Sequence, residues 1–196
     1  MNNNGVIVTG MRAWLTTLAG VLALGAMILA APGAANAAGK NSVVLSVELK
    51  ASPADVWKVV GAFDRLQDWH PAVDSTTMNG SPTAPGSTRV LHLKGGGDIT
   101  EELTSYSDAN MRLTYAILSG PLPVSNYESY MGVTDAGNGK TLFIWGSTFD
   151  AGGGATDAKA KEVITGVYKA GLDTLKKKFG AAPAAKGAKK AHKKKK

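Results

Sequence analysis

No cysteine occurs among the 196 residues. That excludes disulfides, thiolate metal sites, cysteine nucleophiles and a lipid-modified cysteine anchor. Histidine is nearly as scarce. There are three, one of them inside a C-terminal lysine run, so a histidine-built metal centre is not expected, and no cofactor is expected from any other feature of the chain. Acidic residues are missing from both ends. Arg12 is the one charge in the first 39 residues, and residues 181–196 hold seven lysines and no acid. The net charge of +7 therefore belongs to the ends, and the body between them sets 14 basic groups against 15 acidic ones. A near-neutral body argues against a nucleic-acid-binding domain, whose folded surface would itself be basic. Common catalytic signatures are missing too. The glycine run 95–97 leads into a strand-like segment, not into Lys-Ser/Thr and a helix, so it is no phosphate loop. There is no Gly-x-Ser-x-Gly elbow and no His-Glu-x-x-His helix. Glu101 and Glu102 are adjacent in a strand-like run and would point to opposite faces.

The N-terminus has the order of a secretory signal. Residues 13–31 are apolar or small and follow Met11-Arg12. Pro32 and Gly33 break the run, and Ala35-Asn36-Ala37 offers the small residues of a cleavage site. Cleavage near Ala37 would leave a mature, exported chain, periplasmic or secreted, starting near Ala38. The alternative is an uncleaved anchor, since about 18 apolar residues can span a bilayer. Residues 1–10 carry no positive charge, which makes Met11 the alternative start. The C-terminal AAPAAKGAKKAHKKKK is low in complexity and buries too little apolar area to offset its ordering entropy. It is expected to serve as a disordered solubility tail, or to touch anionic surfaces, each lysine contributing about 1 kcal/mol there.

The body predicts one strand, two small helices, six strands and a long helix. Residues 42–50 alternate Val43, Leu45, Val47 and Leu49 on one face. Ser52-Pro53 opens a helix as N-cap and first position, and 64–71 reads as a second short helix or turn. Strand-like runs follow at 72–79, 86–94, 98–106, 111–119, 124–134 and 140–150, separated by turn signals such as Asn79-Gly80 and Gly137-Asn138-Gly139. From 156 to 179 the apolar residues keep a 3.6-residue period. Lysines 176–178 suit the dipole of its last turn, and Gly180 can end it. The class is α+β, with an antiparallel sheet covering the apolar face of a helix. A curved sheet closing over one helix can leave a ligand-sized cavity.

Five motifs occur in order: SPADVWKVVGAFDRLQDWHPAV (52–73), GSTRVLHLKGGGDITEEL (86–103), YAILSGPLPVSNY (115–127), WGSTF (145–149) and VYKAGLDTLKKKF (167–179). Over about residues 42–180 the chain resembles the START/Bet v 1-like superfamily, within it the bacterial polyketide cyclase/dehydratase and lipid transport group. The resemblance implies a helix-grip fold, in which a seven-stranded curved antiparallel sheet wraps a long C-terminal helix and two short helices follow the first strand. It implies a cavity for a small hydrophobic ligand between sheet and helix. The plant abscisic-acid receptors of the superfamily are similar over the same stretch. Their gate and latch turns correspond to residues 94–98 and 119–123. His70 falls where they carry a lysine that meets a ligand carboxylate. Both turns differ here and that lysine is missing, so hormone binding is not implied.

Alternation places Arg89 with Leu91 and Leu93 on one face, and Ile99 with Glu101 and Leu103 on another. Folding the two runs about 95–97 brings Arg89 to Glu101, and a buried carboxylate is costly unless paired. The pair stiffens the cavity wall or acts as a polar clamp, or general acid/base, beside the ligand. His70, in Trp69-His70-Pro71, is the one histidine placed for proton chemistry, or else a turn-capping residue. His92 should face outward. Tyr127, Ser129, Met131 and Val133 share a face of the sixth strand, and Phe143, Trp145, Ser147 and Phe149 one of the seventh. These stripes are core or cavity wall, with the Tyr127 phenol a hydrogen-bond donor inside. On the helix, Val163, Val167 and Gly171 succeed one another by a turn. A helix-interior glycine costs about 1 kcal/mol against alanine, and room for a ligand or close helix–sheet approach would explain Gly171. With Tyr115, these residues form the expected ligand wall. Three functions compete: an exported carrier of a small hydrophobic ligand (lipid, polyketide or aromatic), a cyclase-type enzyme using His70, Glu101 and Tyr127, and an envelope interaction module using the basic tail.

Overall fold

The computed structural model describes residues 39–181, and the expected signal segment and the lysine tail lie outside them. One strand, β1 (Asn41–Leu49), precedes the short helix α1 (Pro53–Val60) and a single 3-10 turn (Leu66–Asp68). Six strands follow: β2 (Val73–Asn79), β3 (Thr88–Leu93), β4 (Asp98–Ser107), β5 (Arg112–Ser119), β6 (Val124–Gly137) and β7 (Lys140–Ala151). Helix α2 (Asp157–Phe179) closes the order. Among the described residues no helix is long and apolar enough to cross a membrane.

Local chemistry sets the helix ends. The Ser52 hydroxyl accepts the Asp55 N–H at 3.2 Å and Pro53 fills the first position, where its missing N–H costs nothing. α1 stops at Val60, shorter than the motif through Phe63 suggests, because Gly61 seats against the Trp57 ring. Thr156 caps α2 through the Lys159 N–H at 3.2 Å. Gly180 ends it at φ +78°, a left-handed conformation that side chains disfavour.

The seven strands make one antiparallel sheet in the order β1-β7-β6-β5-β4-β3-β2. The first strand therefore pairs with the last, Asn41 opposite Phe149. α2 packs against β1 and β7. This is the helix-grip arrangement. The β4–β5 register shifts at Thr100/Glu101 and again at Leu103/Ser105. Such bulges bend and twist a strand, and the β2–β3 and β6–β7 pairs shift register as well. Leu49, Val56, Leu103, Phe143, Phe149, Ile164 and Leu175 are fully buried between the sheet and the helices.

Candidate functional site

The β3–β4 register sets Arg89 directly opposite Glu101, and the two are 2% and 4% exposed. Arg89 Nε donates to Glu101 Oε2 at 2.6 Å. Nη2 lies as close to the same oxygen, 2.6 Å, but off the line of a good hydrogen bond. Nη1 donates to the Phe63 carbonyl at 2.6 Å, and the guanidinium sits 3.9 Å above the centre of the Phe63 ring. Nε and Nη1 of Arg89 are thus hydrogen-bonded, while Nη2 has only the close ionic contact with Glu101. Burial pushes the Glu101 carboxyl above the ordinary carboxylate value, and the Arg89 charge opposes that shift. Among the described residues Glu101 Oε1 accepts no hydrogen bond.

Glu101 looks into a cavity of about 150 Å³ between the sheet and α2. Its inner walls are Leu66, His70, Val73, Leu91, Ile99, Glu101, Tyr115, Tyr127, Trp145 and Ile164, all buried. Its outer lining is Leu93, Ile117, Leu122 and Val167, half-buried, and Ala72, exposed. These five mark the mouth. The two turns beside it come close: a Cβ added at Gly97 would lie 3.9 Å from Pro121. Segments 94–98 and 119–123 thus flank the opening.

Of the expected wall residues, His70, Leu91, Leu93, Glu101, Tyr115, Tyr127, Trp145 and Val167 line the cavity. Arg89 stands behind Glu101. Ser129 and Met131 are buried outside the lining. Val163 is half-buried and turned away, and its neighbour Ile164 takes the place expected for it. Gly171 leaves no room for a ligand. A Cβ there would come within 2.9 Å of both the Trp145 and Trp69 rings and 3.0 Å of His70, so the glycine serves close helix–sheet approach. The sixth- and seventh-strand stripes supply only Tyr127 and Trp145 to the lining, and Phe143 and Phe149 are core. β3, β4 and β5 supply six of the fifteen lining residues, and the rest come from the segment 66–73, the turn at Leu122, β6, β7 and α2. Ile99 and Ile117 could have been found in the sequence, since each alternates with a residue already placed inside. Leu66, Ala72, Val73 and Leu122 sit on turns and strand ends, where no periodicity reaches.

The polar atoms around the cavity are mostly committed to one another. His70 Nδ1 accepts the Ala72 N–H at 3.3 Å, so Nε2 carries the proton and donates to the Val167 carbonyl at 3.0 Å. Burial pushes this imidazole below its ordinary value, with the Val167 bond opposing and the nearby Arg89 adding. The Tyr127 and Tyr168 hydroxyls share a 2.6 Å hydrogen bond. Ser129 donates to the Gly146 carbonyl at 2.9 Å and accepts from Trp145 Nε1 at 3.2 Å. Trp145 Nε1 also donates to the Tyr115 hydroxyl at 3.0 Å, and its ring stacks on Tyr168 at 4.2 Å. Burial raises the phenols of Tyr115 and Tyr127 far above their ordinary value, and that of Tyr168 to about 12. Tyr168 holds this network together and was legible only as a core position of the helical period. On the outer face of the sheet, half-exposed His92 bridges Asp98 at 2.8 Å and Thr77 at 3.0 Å, away from the cavity. No cluster of metal-binding side chains occurs among the described residues.

A family model described as polyketide cyclase / dehydrase and lipid transport matches residues 40–180. The abscisic acid receptor PYL10 of Oryza sativa subsp. japonica is 27% identical over 149 residues, 70% of each chain. Among solved structures, XoxI from Bacillus cereus superposes with a TM-score of 0.65 at 30% identity, over 70% of this chain and 94% of that one. A START superfamily protein from Mycobacterium smegmatis has a TM-score of 0.59 over 70% of this chain and 96% of its own, at 14% identity, a likeness of fold.

Proposed function

The chain belongs to the polyketide cyclase/dehydrase and lipid transport family of the START/Bet v 1-like superfamily, and from that premise we propose that it binds and carries a small hydrophobic ligand in the cavity under α2. One observation carries the reading. The cavity is apolar at its mouth and along most of its walls, the His70 imidazole and the Tyr127 phenol are bonded to protein, and Glu101 is held by Arg89 through one of its two oxygens. That arrangement holds a molecule without acting on it. A cyclase-type reaction through His70, Glu101 and Tyr127 would need two of them within reach of one substrate atom. Instead each is bonded elsewhere: the imidazole to two backbone groups, the carboxylate to Arg89, the phenol to Tyr168.

Most drug-sized ligands occupy about 300–1,000 Å³, so the cavity in this shape suits a compact molecule. A longer lipid or polyketide would enter by parting the two turns at the mouth. We further propose that the apolar segment 13–31 directs export, with cleavage after Ala37, and that the lysine tail adds weak contact with anionic surfaces. The sequence alone supports these two readings.

The test of the carrier reading is native mass spectrometry of the protein from its own host, paired with displacement of a fluorescent apolar probe. A co-purifying apolar compound that competes with the probe is expected. Val167→Phe narrows the mouth and should weaken probe binding at least five-fold while the melting temperature holds. Probe binding unchanged in that variant would place the ligand elsewhere.

A further inference from the structure

Among the described residues, only one oxygen on the cavity wall belongs to a charged group and accepts no hydrogen bond. Glu101 Oε2 takes the Arg89 guanidinium, while Oε1 accepts nothing among the described residues. No lysine or arginine lines the cavity. Arg89 is turned to Oε2, the Phe63 carbonyl and the Phe63 ring. His70 offers neither nitrogen, since one accepts from Ala72 and the other donates to Val167. The wall thus presents a carboxylate oxygen to an otherwise apolar space, with no cation facing it.

A buried charged acceptor left without a donor is costly, and a ligand that supplies the donor relieves that cost. A ligand carboxylate would instead meet the Glu101 carboxylate with no second cation on the wall to offset it, since Arg89 is turned to Oε2 and the Phe63 carbonyl. Size narrows the class. A cavity of about 150 Å³ with apolar walls is the size known to admit one six-membered carbon ring.

Resting on the carrier reading, we infer that the ligand is a small neutral ring compound with a hydroxyl group, phenol-like or a cyclic alcohol. Its O–H donates to Glu101 Oε1 and its ring lies toward Leu91, Ile99 and Leu122. Compounds with a carboxylate at that end are rejected. The sequence places a histidine and a glutamate at this wall, and the structure shows that the histidine is closed and the glutamate half open.

Calorimetric titration of the purified protein with four matched compounds tests the inference: 4-methylphenol, 4-methylanisole, toluene and 4-methylbenzoate. The phenol should bind at least ten-fold more tightly than the ether or the hydrocarbon, and the benzoate should give no heat of binding. In Glu101→Gln the advantage of the phenol over the ether should collapse to two-fold or less. Should that variant fail to fold, the wild-type protein carries the test alone. 4-Chlorophenol, nearly the same size as 4-methylphenol but a stronger donor, should bind more tightly. Equal binding of phenol, ether and toluene overturns the inference and leaves the carrier reading standing. Preferential binding of the benzoate overturns it in favour of an anion site. Failure of all three neutral compounds to bind overturns the inference, while the carrier reading stands or falls on the apolar-probe and mass-spectrometry test.

Discussion

Arg89 and Glu101 couple the wall of the cavity to the stability of the sheet. Their side chains are 2% and 6% exposed, so the ion pair is dry. Removing one partner strands the other, which typically costs about 3–5 kcal/mol. Glu101→Gln should therefore lower the melting temperature clearly. The double change Arg89→Met with Glu101→Leu should recover most of that loss, because matched apolar side chains need no counter-charge. Equal melting temperatures for the single variant and the wild type would show the pair to be solvated. His70 makes a second, pH-dependent contribution. Its folded value is depressed, so the unfolded chain takes up a proton near pH 6.5 and the folded one resists. The contribution is present above that pH and is lost as pH falls toward the folded value, by at most about 1.4 kcal/mol per pH unit. Melting curves at pH 7.5 and 5.5 should show a larger drop for wild type than for His70→Gln, which keeps a donor for the Val167 carbonyl. Sequence reasoning reached the meeting of Arg89 with Glu101 because strand alternation and one glycine turn decide it. It could not reach the tautomer of His70. That depends on a backbone carbonyl of α2, distant in sequence and set by tertiary packing.

At the scale of elements, the two interior glycines of α2 differ. Gly171 lies against Trp145, Trp69 and His70, whereas nothing stands within 4 Å of a Cβ at Gly166. Gly171→Ala should overpack the helix–sheet contact and cost about 1–3 kcal/mol. Gly166→Ala should raise stability by up to about 1 kcal/mol, since only helix propensity changes. Denaturant melts of the two variants give the comparison, and a stable Gly171→Ala protein would mean that the helix can lift from the sheet. The same contact explains why the helical stripe was legible and its inward edge was not. A 3.6-residue period marks Val163, Ile164, Val167 and Tyr168 together as apolar. Which of them faces the cavity depends on how far the helix is rotated about its axis, and the seat of Gly171 on two indoles fixes that rotation. The sheet posed a similar difficulty. Each strand was visible from alternation, but the two β4–β5 register shifts leave no signal in apolar pattern.

For the whole molecule, the order of elements decided the class, an α+β domain with an antiparallel sheet over a helix, and the helix-grip topology came from the family resemblance carried by the five motifs. The position of the cavity along the sheet was not available from that order, because it follows from curvature. N-terminal sequencing of exported material should begin at or near Ala38, and Met1 or Met11 on membrane-bound protein would replace export with anchoring. The pairing of β1 with β7 has a consequence in time. β1 is the first strand to be synthesised and β7 the last, and just beyond α2 the chain returns to β1, where Lys50 N–H donates to the Gly180 carbonyl at 3.0 Å. Pairing between distant segments is slow because the loop must close before any contact rewards it. A nascent chain therefore lacks a partner for its leading strand until almost all of it has left the ribosome. A chain that stops short of β7 leaves one edge of β6 open and gives β1 nothing to pair with, so the sheet takes in its first strand only once its last is present.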